Sequence, residues 1–285
     1  MAGYRFCRSD DLAELVAAYA SCYRVHLAEC PVLTLDELKH WIRDYGVWAS
    51  SCMLAYSDRG EVVGVLIGAK RENDNGILAV GVRADQQRAG HGSHMLTSLA
   101  NKLAILGPPT IVAEVPETAV AARACFESLG YVAWRSYTDF RLTAGSGPAA
   151  QMHPLVGTID VERAGEAGLL EGRDVCWNRA SESLLRRSAV ISGLALASDR
   201  RIEACLLYST SDDGRRARIE LIHLPDKTRG APLLGLVAGQ LLASGPSVVE
   251  LPRAHEQEVP FDLLRTVGFR ATGSTIGYRV RAGSG

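Results

Sequence analysis

Apolar positions along the chain switch repeatedly between a helical and an extended rhythm. Residues 4–8 read as a short extended segment. Leu12, Leu15, Val16 and Tyr19 then recur at helical spacing, which predicts an amphipathic helix over 12–23 capped by Asp10 or Asp11. A second helix opens at Thr34, where Glu37 completes a capping box, and carries Leu38, Trp41 and Ile42. Apolar, β-branched runs at 51–56, 62–70 and 76–82 are separated by Asp58-Arg59-Gly60 and Asn73-Asp74-Asn75-Gly76, the signature of an antiparallel meander. Next come a helix over 90–106 ended by Gly107-Pro108-Pro109, a strand at 110–115, a helix over 119–129 stopped by Gly130, and a strand at 131–142.

Residues 143–154 have no periodicity and are rich in Gly, Pro and small side chains, as expected of a linker. Beyond them the order repeats in outline: strands at 201–210 and 217–224, a helix over 232–243, a strand at 247–251, a helix over 260–266 and a last strand reaching Arg281. Glu114-Val115-Pro116-Glu117 is similar to Glu250-Leu251-Pro252-Arg253, and Leu129-Gly130-Tyr131 to Val267-Gly268-Phe269, at offsets of 136 and 138 residues. Two matches at nearly one offset point to a duplication. The expected architecture is α/β (α+β): two tandem domains, 1–143 and 155–285, joined by 144–154. Each would hold a mostly antiparallel twisted central sheet flanked by helices.

Candidate chemistry concentrates in Val80-Gly81-Val82-Arg83-Ala84-Asp85-Gln86-Gln87-Arg88-Ala89-Gly90-His91-Gly92-Ser93, where a strand enters a glycine turn that opens a helix. Glycines admit positive φ and close backbone approach, and a new helix offers unpaired amides with partial positive charge, so the turn suits a pyrophosphate. The missing Gly-Lys-Ser/Thr excludes a P-loop. A dinucleotide-binding turn is disfavoured because Met95 stands where its third glycine belongs and a meander precedes it.

Gln87-x-x-Gly90-x-Gly92, followed about 30 residues later by Ala122-Arg123-Ala124-Cys125-Phe126-Glu127-Ser128-Leu129-Gly130-Tyr131, resembles the acyl-CoA motif and the later helix-to-strand motif of the GCN5-related N-acetyltransferases, the GNAT superfamily. The resemblance covers about residues 4–142. It implies acetyl-CoA as co-substrate, with the pyrophosphate held by Gln87, Arg88, Ala89, Gly90, His91, Gly92 and Ser93. The backbone of Val80, Gly81 and Val82 would pair with the pantetheine arm, Phe126 would flank the cofactor, and the Val82 amide would stabilise the oxyanion. The second half resembles a degenerate copy of the same domain, because Asp226-Lys227-Thr228-Arg229-Gly230-Ala231-Pro232 keeps one glycine and Pro232 removes a donor.

Two departures from the family bear on mechanism. Phe126 stands where many members have a tyrosine that protonates the leaving thiolate, and Ala119 where an asparagine is common; Cys125, Tyr131 and Tyr137 are the alternative acids. Residues 77–82 carry no carboxylate, which leaves Glu114 on the next strand, or Asp74 just upstream, as the base. His26 and Glu29, in the loop after the first helix, are the candidates to hold the acceptor.

Composition narrows the partners. With 31 Lys plus Arg against 32 Asp plus Glu, the net charge is -1, which argues against nucleic acid or an anionic membrane. No run approaches the ~20 apolar residues of a membrane span, and charges within 1–20 exclude a signal peptide. Seven scattered cysteines without Cys-x-x-Cys indicate reduced thiols, no metal site and a cytoplasmic setting. The expected function is an acetyl-CoA-dependent N-acetyltransferase, an acyltransferase acting on a small-molecule amine, as monomer or homodimer. Its tandem build resembles bacterial biosynthetic and resistance acetyltransferases. The alternatives are an acyl-CoA-binding sensor without turnover, or acyl transfer to a protein amine.

Overall fold

The computed structural model describes residues 3–26 and 32–283. The chain divides into two compact units. One runs up to Arg135 and includes the segment from Ile276 to the C-terminus; the other is Ser136–Thr275. The expected boundary at 143/144 therefore falls inside the second unit, and the last strand crosses from the second unit into the first.

In the first unit β1 (Gly3–Phe6), β2 (Met53–Tyr56), β3 (Val62–Lys70) and β4 (Asp74–Val82) form an antiparallel meander, and β5 (Thr110–Pro116) joins β4 in parallel. Seven of the nine residues of β3 are buried, so the strand reads as a continuous apolar run and not as an alternating one. The helices are α1 (Leu12–Ala18), α2 (Leu35–Tyr45), α3 (His91–Leu106) and α4 (Val120–Ser128). Met95, Leu96, Leu99 and Leu103 along α3 pack on Met53, Leu66, Ile77 and Ile111 of the sheet. The Thr34–Glu37 capping box is present in both directions at α2. At α1 the expected Asp cap is absent. The Asp11 carboxylate instead takes Arg5 Nη2 at 3.0 Å and the Arg8 amide at 2.7 Å. The helix also ends early, passing at Tyr19–Tyr23 into a π-helical turn, a local widening common near functional sites.

β6 (Val132–Thr143) leads into the second unit, which repeats the plan: β7 (Val156–Ile159), β8 (Ser192–Ala197), β9 (Ile202–Thr210) and β10 (Arg216–His223) are antiparallel, and β11 (Val248–Ala254) joins β10 in parallel. Its helices are α5 (Val161–Glu166), α6 (Ser181–Arg186), α7 (Gly230–Ala243) and α8 (Phe261–Val267), and β12 (Arg270–Arg281) closes the chain. β7, β8, α5 and α6 gave no usable sequence signal: they are four to six residues long, and β8 is Ser-Gly-Leu-Ala-Leu-Ala. The duplication includes an exchange of strands. β11 pairs with β6, from Val248↔Thr143 to Ala254↔Thr138, whereas β5 has β12 as its neighbour.

Charge is buried in the second unit. Glu220, wholly inaccessible, occupies a bulge in β10 and accepts from Arg187 Nη2 at 2.6 Å and Ser209 Oγ at 2.9 Å. Burial alone would raise its carboxyl pKa, but Arg218 and Arg187 outweigh burial and hold it below the ordinary range. Its stabilising contribution is therefore complete above the unfolded carboxylate value and is lost as pH falls toward the depressed folded value. We expect Glu220→Gln to cost about 3–5 kcal/mol in urea unfolding at neutral pH, because it strands buried guanidinium charge, and to flatten the acid side of the stability profile.

Candidate active site

The parallel ladder between β4 and β5 runs from Asp74↔Thr110 to Ile77↔Ala113 and then stops. Beyond it β4 continues to Val82 with β3 on one side only. Backbone groups alternate in direction along a strand, and the Arg83 amide donates to Val63 O on β3 at 2.9 Å. Val82 and Val80 therefore turn their amides and carbonyls to the open side. There a cleft of about 1030 Å³ lies between β4, β5, α4 and the loop before α3.

That loop has a backbone geometry that could hold an anion. Arg83 is tied to Asp85 at 2.7 Å and Glu61 at 3.2 Å, which anchors its start. Arg88 (φ 63) and Gly90 (φ 86) are both left-handed, and such residues turn successive amides toward one point. α3 then begins with no side-chain cap and no acidic residue in its first turn, so its first amides keep their donors and partial charge unspent. The glycines separate by cause. A Cβ on Gly81 would lie 2.2 Å from Cys22 O, so that glycine serves the close approach of the π-helical turn. A Cβ on Gly92 would meet nothing nearer than 3.9 Å, and its φ is ordinary. Neither packing nor conformation demands glycine there.

Most of the residues singled out by sequence come together. Val80, Gly81, Val82, Gln87, Arg88, Gly90, His91, Gly92, Ser93, Glu114, Phe126 and His26 all line the cleft, with Tyr23, Leu78 and Cys125 beside them. Ala89 is in the loop but does not line it. His26 Nε2 lies 2.8 Å from Val82 O; a carbonyl only accepts, so Nε2 carries the proton. His91 is buried and hydrogen-bonded through Nδ1 to Tyr4 OH at 2.7 Å, while the Tyr4 ring stacks on His94 at 3.8 Å. Both histidines thus brace the loop against β1, a contact with no local sequence signal.

Tyr137 belongs to the second unit, buried against the His255 ring at 6.0 Å, and is not part of this cleft's lining. Glu29 lies outside the described residues. Phe126 is buried with its ring edge-on to Tyr131 at 4.9 Å, and the Tyr131 hydroxyl is buried without a hydrogen-bond partner among the described residues, its pKa pushed up by burial. Cys125 Sγ is 3.5 Å from Ser93 Oγ.

The equivalent places in the second unit are filled by its own side chains. β10 and β11 part after Arg218↔Glu250, and the wholly buried Arg179 bridges the gap, Nε donating to Glu220 O at 3.2 Å and Nη1 to Pro252 O at 3.3 Å, with Glu258 Oε2 at 2.9 Å as its counter-ion. In the turn before α7 the Asp226 carboxylate takes the amides of Thr228 at 2.9 Å and Arg229 at 3.4 Å. Gly230 is a packing glycine: a Cβ there would lie 2.3 Å from Leu263 Cδ1.

Residues 12–131 match the acetyltransferase (GNAT) family. No curated protein is similar to the chain at a significant level in sequence. Among solved structures, a GCN5-related N-acetyltransferase from Sphaerobacter thermophilus is 15% identical, with 99% of this chain and 96% of that one covered and a TM-score of 0.68. A tandem GNAT protein from the clavulanic acid biosynthesis pathway is 12% identical over 100% of both chains, with a TM-score of 0.70. A GCN5-related N-acetyltransferase from Kribbella flavida is 15% identical, covering 98% and 70%, at 0.61. At such identities the likeness to these structures is one of fold. The cleft and its loop fall within residues 12–131, the segment that matches the acetyltransferase (GNAT) family.

Proposed function

We propose that this protein transfers the acetyl group of acetyl-CoA to the primary amine of a small molecule, by direct attack within the cleft of the first unit. The observation that carries this reading is the parting of β4 from β5 beside an uncapped helix N-terminus, which offers a strand edge and an anion cradle in one cleft. The amides from Arg88 to Ser93 would hold the pyrophosphate, and Val80 and Val82 would pair with the pantetheine arm as an added strand. The neutral amine nitrogen attacks the thioester carbonyl carbon, the Val82 amide donates to the oxyanion, and the C–S bond then breaks. A CoA thiol has a pKa near 8.5, so its thiolate leaves with little help, in keeping with Phe126 in place of an acid. The amine proton passes to a base. Glu114 lines the cleft, and His26, whose Nε2 proton is fixed by Val82 O, offers Nδ1.

A second reading, an acyl-CoA-binding sensor without turnover, is favoured by Phe126 and by the absence of a carboxylate from residues 77–82. Release of thiol from acetyl-CoA across a panel of small amines supports the transferase; tight binding with no thiol released by any of them supports the sensor.

Gly92→Asp tests the cradle without disturbing the fold, since a side chain there has room and an ordinary φ. We expect roughly a 100-fold loss of acetyl-CoA affinity by calorimetry, because a carboxylate would face the diphosphate, with the melting temperature of the free protein unchanged. Because Arg179 and Asp226 fill the corresponding places of the second unit, the same titration should give one acetyl-CoA per chain; two would show that the second unit also binds it.

A further inference from the structure

α4 forms one wall of the cleft through Ala122, Cys125 and Phe126, yet little in its own sequence holds it in place. It has nine residues, no side-chain cap and no acidic residue in its first turn, and Phe126 is its one buried side chain. A helix of that length is marginal by itself, so its position is set by what grips it. The grip comes from the end of the chain. The Tyr278 hydroxyl donates to Glu127 Oε1 at 2.6 Å, across 151 positions of sequence, and accepts from Arg123 Nε at 3.4 Å. Its ring stacks on Phe126 with centroids 5.8 Å apart and planes 15° from parallel. Positions 123, 126 and 127 share one helix face, so one tyrosine holds that face at three points. Tyr278 is itself fixed: it is wholly buried in the core with Leu96, Ile111 and Phe126, and four residues on the Ala282 amide donates to Pro109 O at 2.6 Å, just ahead of β5.

We infer that the last strand of the chain is a working part of the acetyl-CoA site, with Tyr278 as the positioning residue that sets where α4 stands against the cleft. This inference rests on the acetyl-CoA reading above. It gives the second unit a role that needs no ligand of its own, because the chain must pass through that unit before it delivers Tyr278 to the first. A protein ended at residue 275 would lack the part of β12 that carries Tyr278, even though its glycine loop, β4 and α4 would be complete.

The test uses the whole chain with Tyr278→Phe, which keeps the stacked ring and removes the hydrogen bonds, and Glu127→Ala, which removes one partner at an exposed position and leaves the core intact. Each should weaken acetyl-CoA binding by about tenfold in calorimetry, the scale of a hydrogen bond to a charged group, at temperatures where both variants remain fully folded. Combining them should weaken binding no further than the worse single variant, since both break the same contact. A brace that serves stability alone would lower the melting temperature and leave affinity untouched. Wild-type protein that binds acetyl-CoA while both variants bind within twofold of it overturns the role of Tyr278 and spares the acetyl-CoA reading. Wild-type protein that binds no acetyl-CoA overturns both.

Discussion

A backbone amide or carbonyl that leaves a β-ladder needs another partner, and the cleft of the first unit opens where β4 and β5 stop meeting that need for each other. After Ile77↔Ala113 the strands part, and the groups of Val80 and Val82 face a cleft instead of a neighbouring strand. The same shortage recurs a few residues on, where α3 begins without a cap. Unsatisfied donors in a folded domain carry an energetic cost unless water or a ligand takes them. Their concentration along one strand edge and one helix start is the ground on which the acetyl-CoA reading proposed above rests.

The second unit contains the same parting of strands and meets it internally. Arg179 lies across the opening between β10 and β11 and caps carbonyls of both, and Asp226 takes amides of the turn ahead of α7. The bulge in the strand before each turn carries Leu78 in the first unit and Glu220 in the second, so the copy without a free cradle is the one with a buried carboxylate, held by Arg187 and Ser209. An open cleft and a self-filled one are thus two solutions to a single topological problem, written into two halves of one chain.

The chain crosses between the two units in two strands. β12 finishes the first unit and β6 starts the second, so neither copy owns all of its own sheet. Tyr278 is where this matters for the cleft. The motif around Phe126 names a helix, but the residue that positions that helix belongs to the other copy's final strand.

Sequence alone determined the features whose cause is local. The Thr34–Glu37 box, the meander through β2, β3 and β4, and the glycine turn into α3 each rest on contacts within a few residues, and local chemistry is written in local pattern. It also revealed the duplication and placed most of the cleft, because those residues come from one strand, one loop and one helix. Tertiary structure decided the rest. Asp11 caps nothing because Arg5 and the Arg8 amide claim its carboxylate, Tyr137 packs in the other unit, and His91 is buried by Tyr4. Gly81 and Gly92 look alike in the motif, but one gives way to a neighbouring backbone and the other leaves amides open. Such outcomes depend on what arrives from distant positions to compete for a charge, a hydrogen bond or a space, and no periodicity records that competition.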